Sequence, residues 1–487
     1  MSTPGGFIAR CEQEQLHRSG AIQQYGALLV TGADGLVAHV SANIEDWLQQ
    51  SPTALLGQAL PEPLAALQDT LAAEPGSRCE RISLSLPPRT VSVVLSRTSD
   101  GGVLAELLPA EHSGPASATL TPRSFAAFAD SAAMRQARAQ LVAHIQQQCG
   151  FERVMFYRFR HDGTGEVVAE ACSAAASGTY LGLRFPASDI PQIARDLYMK
   201  TPWRSIASAR AQPVPLLSLN GDIADLTYAD LRSVSPVHQS YMQNMGVAAS
   251  VSFPLRTANQ LRALISCHAA GEGHLSLPEL QALAAQVERY NLREREFLTN
   301  RRTRLMQHLQ QQFQDWQSLI SGAGSLAQAW PQLAPLILQE FQASGLWLDT
   351  GALLLTAGQV PDDDATSVIT GWVQQAQDEQ GVLLCQSLTR ECPQPLLTGV
   401  AGLAAVSAAG QPPALQCLLF REEEMYQVSW GGNPDKPAEY SGGQHPVAPR
   451  NSFERWVENR IGYCREWPQD TRLKLLQLRS FLLEQSS

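Results

Sequence analysis

The alternation of apolar and polar positions predicts successive regions of mixed sheet and helix. Residues 26–41 place two short apolar runs around Ala33-Asp34-Gly35, and Asp-Gly between such runs is typical of a β-hairpin. A first α/β domain is therefore predicted over residues 21–115, after an N-terminal segment of residues 1–20. A connector rich in serine, proline and alanine follows Leu108.

A second domain is predicted over residues 128–290. Residues 130–148 have a helical pattern, whereas residues 154–159 and 166–171 favour strands separated by a turn. Residues 185–198, FPASDIPQIARDLY, predict a strand end and then a helix. Ser188 or Asp189 would cap this helix and Pro191 would lie in its first turn. As a bare pattern this is only a capped helix.

A histidine and a tyrosine occur on one face of the next predicted helix. His238, Tyr241, Met242 and Met245 share one face of a predicted helix that ends at Gly246. A histidine on such an apolar stripe is more often a core residue than a ligand contact.

Ser250 and Ser252 fall on one face of the strand that follows. A half-polar strand near a histidine and a tyrosine favours a pocket for a polar-edged ligand, and surface exposure of the serines is an equally simple alternative. Arg204 and Arg232 would bind carboxylates if they converge on that pocket, while each alone is an ordinary solvated charge.

A long helix is predicted from Leu277 to about Ile320, where glycine and proline are nearly absent. Residues 291–320 would link the second domain to a third domain over residues 321–487. Such a length favours a homodimer seam. The third domain contains a segment rich in glycine and proline, at about residues 425–460, whose length is typical of a functional loop.

Composition narrows the class of protein. Hydrophobic residues make up 44% of the chain and charged residues 17%, which argues against pervasive disorder. The net charge of −10 disfavours a nucleic-acid partner. Neither a signal peptide nor an apolar run of membrane-spanning length is present, so we expect a cytoplasmic protein without a membrane partner. The cysteines are scattered singly, which predicts free thiols and no metal site.

Six motifs occur in an order that closely resembles the photosensory module of bacteriophytochromes, which consists of PAS, GAF and PHY domains. They are CEQEQLHRSGAIQQYGALL, FPASDIPQIARDLY, LRSVSPVHQSYMQNMG, ISCH, WGGNP and PRNSFERW. The resemblance covers nearly the whole chain. It implies an α+β fold of three mixed α/β sensor domains with antiparallel sheets, joined by the long helix.

The resemblance implies a covalently bound biliverdin IXα, a linear tetrapyrrole, in the GAF domain. Cys11 would form a thioether with it, because a mobile thiolate can add to an unsaturated carbon. In plant and many cyanobacterial relatives the attachment cysteine directly precedes the pocket histidine, and that position here is Val237. The implied pigment is therefore biliverdin rather than a more reduced bilin.

The resemblance also assigns the pocket residues. Asp189 and His238 would lie at the pyrrole nitrogens and His268 at the ring-D carbonyl. The propionate-binding positions are Tyr198, Arg204, Arg232, Ser235, Ser250 and Ser252, and the ring-D surroundings are Tyr157, Phe185 and Tyr241. A buried, protonated pigment requires such partners, because unpaired N–H groups and charges are costly away from water.

The loop of the third domain corresponds to the tongue of this family. Trp430 and the PRNSF segment would reach the GAF domain, with Arg450 paired to Asp189 in one state and Ser452 replacing it in the other. Phe453, at the end of that segment, begins a helical stripe, while the preceding glycines and prolines support a hairpin, so the sequence permits both forms. A static loop is the simpler alternative.

Several positions depart from the family pattern: Gln24 and Tyr25 replace Pro-His, Arg262 and Ala263 replace Trp-Gly, and Ala269 replaces a second histidine. Altered hydrogen bonds at these positions are expected to affect the colour, the dark-stable state and the rate of dark reversion.

The functional prediction is a red/far-red photoreceptor that switches by Z/E isomerisation at the bond joining rings C and D and signals through tongue refolding and helix movement. An alternative is a bilin-binding structural or interaction module that does not switch. A Cys267-His268 enzyme is disfavoured, because adjacent strand residues point to opposite faces. The sequence has no kinase motif, so we expect no enzyme activity and a downstream output domain or response regulator as partner.

Overall fold

The computed structural model describes residues 15–87, 89–110, 125–392, 399–408, 415–434 and 453–485. The strands are β1 (Ala21–Ile22), β2 (Ala27–Thr31), β3 (Val37–Ser41), β4 (Arg78–Leu86), β5 (Arg89–Arg97), β6 (Val103–Pro109), β7 (Arg153–Phe159), β8 (Gly165–Cys172), β9 (Arg184–Phe185), β10 (Arg204–Ile206), β11 (Val214–Ser218), β12 (Ala249–Arg256), β13 (Leu261–Ala269), β14 (Gly345–Asp349), β15 (Leu354–Gly358), β16 (Val382–Cys385), β17 (Gly402–Ala408), β18 (Leu415–Arg421), β19 (Tyr426–Gly431) and β20 (Arg455–Arg460).

The α-helices are α1 (Glu45–Leu48), α2 (Pro52–Leu55), α3 (Leu64–Gln68), α4 (Ser131–Cys149), α5 (Gln192–Tyr198), α6 (Pro236–Asn244), α7 (Leu277–Ala323), α8 (Leu326–Phe341), α9 (Asp363–Ala376), α10 (Leu388–Glu391) and α11 (Thr471–Gln485). The mixed α/β class with antiparallel sheets is confirmed, and so is the long helix, which is α7. The chain forms two compact units, residues 1–297 with 429–456, and residues 298–428 with 457–487. We call them the larger and the smaller unit.

The larger unit contains two sheets. The first has the strand order β1-β11-β3-β2-β6-β5-β4. Its β2 and β3 form the predicted hairpin, in which Leu29 pairs with Val40 and Gly35 adopts a positive φ of 79°. Strand β11 comes from the predicted second domain, yet it pairs with both β1 and β3 of the first sheet. The sequence pattern did not predict that a strand of the second domain joins the sheet of the first domain.

The second sheet positions the candidate site. Its strands β10-β12-β13-β7-β8-β9 are antiparallel neighbours. Alternate side chains of β7, β12 and β13 join the core that also contains apolar residues of α4 and the first turns of α7. Because successive strand residues point to opposite faces, the remaining side chains line the other face of this sheet.

The smaller unit has its own five-stranded sheet, in the order β15-β14-β18-β17-β16. Apolar residues of α8 and α11 pack on one face of it around Leu333 and Leu478, and residues of α9 pack in a second cluster with Ile369. The two faces are therefore both covered by helices. Within the described residues, no helix is both long and apolar enough to span a bilayer.

One local prediction was wrong. Ser188 and Asp189 do not cap a helix, because both belong to a separate single-turn 3₁₀ helix, Ala187–Asp189. Helix α5 begins after Pro191, which occupies the N-cap position without a side-chain hydrogen bond. The residue before a proline is held away from helical backbone angles, so Ile190 interrupts the helix that the sequence pattern favoured.

Candidate functional site

A polar face on the second sheet of the larger unit forms the base of the candidate site. On it, Ser250 of β12 lies directly opposite His268 of β13, and Ser252 lies opposite Ser266. Both Ser250 and Ser252 are 7% exposed. The alternative that these serines face solvent is therefore excluded, and this face of the half-polar strand is covered.

The opposite face of the same strands is apolar. Cys267 lies there, fully buried in the core beside Cys149, and burial raises the pKa of its thiol well above the ordinary value. His268 points to the polar face, where its Nε2 lies 3.0 Å from the Ser266 hydroxyl. Cys267 and His268 thus lie on opposite faces, as the argument against a Cys-His enzyme requires.

The two pocket histidines are held in the neutral form. His238 lies on α6, where its ring stacks against Tyr241 with centroids 5.9 Å apart. Burial lowers the pKa of His238 to about 4, with a smaller contribution from the charge of Arg204. Burial likewise lowers the pKa of His268 to about 3, helped by Arg153 and His238. Both imidazoles can therefore act as neutral hydrogen-bonding groups at neutral pH.

Two arginines lie close to each other, and the charge of one of them, Arg204, also reaches His238. Arg204 of β10 pairs with Ser252 across the strands, and its guanidinium donates to the backbone carbonyls of Asp230, Arg232 and Ser233. Arg232 is 7% exposed and donates to the carbonyl of Leu226. Burial lowers the pKa of Arg232 to about 9, and the like charge of Arg204 adds to that effect. The nearby carboxyl groups of Asp230 and Glu106 act in the opposite direction, so the two cations have anionic neighbours within the chain.

The remaining predicted residues of this pocket also lie in the larger unit. Tyr198 is the last residue of α5. Burial raises the pKa of its hydroxyl, and a hydrogen bond with Ser252 partly offsets this rise. Ser235 is the N-cap of α6. Tyr157 and Phe185 are buried with ring centroids 5.9 Å apart, in one apolar cluster with Tyr241.

Asp189 is placed at the edge of this cluster. The hydroxyl of Tyr241 donates to its Oδ2 atom across 3.0 Å. Phe453 packs edge-on against the same Tyr241 ring, with centroids 4.9 Å apart. The residue after the PRNS segment therefore contacts a predicted pocket residue.

The first strand of the tongue also contacts the second sheet. Trp430 of β19 pairs in parallel with Arg184 of β9. The next residue, Gly431, approaches Phe185 so closely that a Cβ atom there would come within 2.5 Å of the ring. The missing side chain at Gly431 thus allows β19 to lie beside a predicted ring-D residue. The predicted residues Cys11, Arg450 and Ser452 lie outside the described residues.

The residues that depart from the family pattern lie in different parts of the larger unit. Tyr25 stacks on His274 with centroids 5.2 Å apart, and Ala269 is buried in the apolar core. Arg262 is the extra residue of a β-bulge, because Leu261 and Ala263 pair with consecutive residues of β12. Its guanidinium donates to Glu294 of α7 across 2.7 Å. A strand side chain is thereby turned toward the long helix.

Sequence reasoning missed Ser266 on the polar face and Glu294, the partner of Arg262, and it gave no reason for the glycine at position 431. Ser266 had a usable signal, because a residue two positions before His268 in a strand shares its face. Glu294 gave no signal, since a glutamate on a long polar helix is ordinarily exposed. Gly431 was noticed only as part of a motif, and its close approach to Phe185 depends on long-range packing.

The neutral histidines predict a pH-dependent stability for the protein without pigment. Because the pKa of each is lower in the folded state than the unfolded value near 6.5, the unfolded chain binds more protons as the pH falls below that value. Lowering the pH from 7 to 5 should reduce the free energy of unfolding by up to about 2 kcal/mol per histidine. Urea unfolding at several pH values measures this loss, and the double variant His238→Gln/His268→Gln should show a shallower pH slope. Equal slopes would contradict the assignment.

Three family models match successive parts of the chain. A PAS fold matches residues 11–110, a GAF domain matches residues 134–290 and a phytochrome region matches residues 306–486. Cyanobacterial phytochrome B of Nostoc sp. is 29% identical over 98% of this chain and 66% of its own length. The bacteriophytochrome of Pseudomonas aeruginosa is 30% identical with the same coverage of both chains. The chain thus spans about two thirds of the length of these curated relatives.

Solved structures match over nearly their whole length. The bacteriophytochrome RpBphP3 of R. palustris superposes with a TM-score of 0.75 at 26% identity, covering 98% of each chain. The phytochrome photosensory core module of Stigmatella aurantiaca gives a TM-score of 0.77 at 28% identity, covering 97% of each chain.

Proposed function

The chain belongs to the phytochrome family of photoreceptors and carries its PAS, GAF and PHY regions, and on this basis we propose that it senses red and far-red light through covalently bound biliverdin IXα. The single observation that carries the choice of ligand is the composition of the buried pocket. Arg204 pairs with Ser252 and His268 with Ser250 across the strands, while the charge of Arg204 reaches both Arg232 and His238.

This set of groups fits a flat, mostly apolar ligand with two carboxylates and polar ring edges. The arginines, with Tyr198, Ser235, Ser250 and Ser252, would hold the propionates, because buried cations need an anionic partner. His238 and the backbone carbonyl of Asp189 would lie at the pyrrole nitrogens. His268 has a buried Nδ1 atom without a hydrogen-bond partner among the described residues, which suits a contact to the ring-D carbonyl.

Biliverdin would supply light absorption and the Z/E isomerisation at the bond joining rings C and D. The chain supplies walls for the moving ring in Tyr157, Phe185 and Tyr241, which are apolar at the ring faces. Cys11 would provide the covalent attachment.

The tongue is the proposed output of this pocket. In the structure, residues 455–460 form strand β20, the extended alternative, rather than the helix that the stripe beginning at Phe453 also permits. Arg450 would pair with Asp189 in one state and Ser452 would replace it when the segment becomes helical. Contacts that support this route are Phe453 with Tyr241, and Gly431 with Phe185.

The proposal is tested by adding biliverdin to the purified chain. A coloured adduct is expected, and its difference spectra after red and far-red light should be mirror images. No reversible change would refute photoswitching, and a coloured, labelled chain without a photoproduct would favour the alternative of a non-switching bilin-binding module. The contact made by Arg262 argues against the non-switching alternative. Although Arg262 departs from the family pattern, its side chain points to Glu294 and away from the polar face.

The role of the two arginines can be tested separately. Biliverdin dimethyl ester has the same ring system without the propionate charges, so it should bind at least tenfold more weakly if the guanidiniums bind carboxylates, corresponding to about 1.4 kcal/mol. Fluorescence quenching at equilibrium, with Cys11→Ser to prevent attachment, measures both affinities. Equal affinities would show that the propionates are not held in this way.

A homodimer, a cytoplasmic location and a downstream output domain or response regulator complete the proposal. The length of helix α7 supports the dimer, since exposed helices of this length commonly pair.

A further inference from the structure

An arginine of the first sheet binds the segment that carries Arg232. Arg78 of β4 donates from Nη1 to Oδ1 of Asp230 across 3.2 Å, and from Nη2 to Oδ2 of the same carboxylate. Its guanidinium lies over the ring of Trp203, 4.7 Å from the centroid, and Nε1–H of that ring donates to Oδ2 of Asp230 across 3.1 Å. Asp230 is 2% exposed. Its buried carboxylate is therefore bound by a bidentate ion pair and by a third donor.

The backbone of the same aspartate binds an arginine of the pocket. The guanidinium of Arg204 donates to the carbonyl of Asp230 across 3.0 Å, and to the carbonyls of Arg232 and Ser233 across 2.7 and 3.1 Å. Burial lowers the pKa of the Arg204 and Arg232 guanidiniums, and the charge of Asp230 opposes this effect at both. Asp230 thus acts electrostatically on both pocket arginines, while its carboxylate is paired with Arg78.

Asp230 is the principal anion beside these two arginines at neutral pH. The other buried carboxyl group nearby, Glu106 of β6, accepts from the backbone N–H of Leu231 across 2.6 Å. Burial raises the pKa of Glu106 to about 8, and the charge of Asp230 adds to the rise. Glu106 therefore carries only a small part of its negative charge at pH 7. The positive charge that remains for a ligand depends on how far Asp230 is compensated by Arg78.

We propose that Arg78 is a positioning residue that acts through Asp230: by holding this carboxylate in an ion pair, it leaves the positive charge of Arg204 and Arg232 to a ligand that carries carboxylates. Without Arg78, the buried carboxylate of Asp230 takes its compensating charge from the two pocket arginines, because a buried anion requires a partner. A residue of the first sheet thus sets the preference of the second sheet for an anionic ligand. The inference rests on the proposed function for its ligand, a tetrapyrrole with two propionates.

The preference for carboxylates is measured as a ratio of two affinities. The reference protein is Cys11→Ser, and the ratio is the dissociation constant of biliverdin dimethyl ester divided by that of biliverdin. Arg78→Met removes the charge and keeps an apolar side chain beside Trp203, so it should lower this ratio by about fivefold. Adding Asp230→Asn removes the uncompensated carboxylate. The double variant Arg78→Met/Asp230→Asn should therefore restore the ratio of the reference protein.

Glu80 provides the matched control, because it is a second carboxylate that Arg78 binds. It accepts from Nε of Arg78 and from Nε2 of Gln281 on α7, and its side chain is 19% exposed. Glu80→Gln keeps the pair of Arg78 with Asp230 and should leave the ratio unchanged. A ratio that falls as far in Glu80→Gln as in Arg78→Met would indicate a general effect of disturbing the first sheet and would overturn the inference. A double variant whose ratio stays as low as that of Arg78→Met would overturn it as well.

Two further outcomes are distinguished by the same measurement. If Arg78→Met does not fold, Asp230→Asn and the double variant decide, because both lack the buried carboxylate and should keep at least the reference ratio; a lower ratio in either contradicts the inference. A reference protein that binds neither pigment, or both equally, refutes the propionate assignment of the proposed function and the role of Arg78 with it. A reference protein that prefers biliverdin, with the same preference in Arg78→Met, refutes the role of Arg78 alone.

Discussion

Cys11→Ser is expected to abolish covalent labelling by biliverdin while leaving some non-covalent binding. A serine hydroxyl is far less nucleophilic than a thiolate, so the thioether cannot form, whereas the pocket groups on the second sheet remain. Intact mass spectrometry of the denatured chain should show the mass of the adduct in the wild type and none in the variant. Pigment absorbance after gel filtration measures the binding that remains.

Cys172→Ser is the matched control for this experiment. Among the cysteines in the described part of the chain, Cys172 is the exposed one. Desolvation raises the pKa of its thiol, which lowers the thiolate fraction. The buried thiols Cys267, Cys385 and Cys464 have raised pKa values for the same reason. Labelling should therefore be unchanged in Cys172→Ser, and an adduct that persists in Cys11→Ser would contradict the assignment of Cys11.

Glu294→Gln is expected to destabilise the larger unit by about 3 to 5 kcal/mol, because it breaks a buried ion network. The Glu294 carboxylate is 2% exposed and accepts from Arg138 at 2.9 Å and from Arg262 at 2.7 Å. The hydroxyl of Tyr290 donates to it as well, at 3.2 Å. Without the negative charge, the two guanidiniums remain buried or partly buried next to each other. The midpoint of urea unfolding measures the loss.

The same helix offers a control two residues away. Glu296 pairs with Arg293 at 2.9 Å, but its side chain is 47% exposed. Exposed ion pairs contribute little, so Glu296→Gln should change the free energy of unfolding by less than about 1 kcal/mol. Equal destabilisation of the two variants would show that the buried ion network around Glu294 does not stabilise the fold more than an exposed ion pair does.

Elements with a strong local pattern were predicted well from the sequence. The hairpin around Gly35 and the helices α4 and α7 follow from turn chemistry and from helical periodicity. The capping residue before α5 was predicted wrongly. Ile190 precedes Pro191 and therefore avoids helical backbone angles, a restriction that the spacing of apolar residues does not reveal.

The candidate site was predictable as a set of residues and not as an arrangement. Strand alternation places Ser250 and Ser252 on one face, yet whether that face is exposed depends on what packs against it. The position of Arg204 beside Ser252 requires β10 to pair with β12, a contact between residues far apart in sequence. The partner of Arg262 depends in addition on a bulge in β13.

The sequence by itself determined the family, the local elements and the residue types of the pocket, because motif order, turn residues and periodicity are properties of neighbouring positions. Only the tertiary structure decided which faces are buried, that β11 joins the first sheet and that β19 lies beside Phe185. It also decided that Ser266 and His268 share a hydrogen bond with one nitrogen left over. The physical reason is that burial, and with it the pKa and hydrogen-bond partner of each polar group, is set by segments that are distant along the chain.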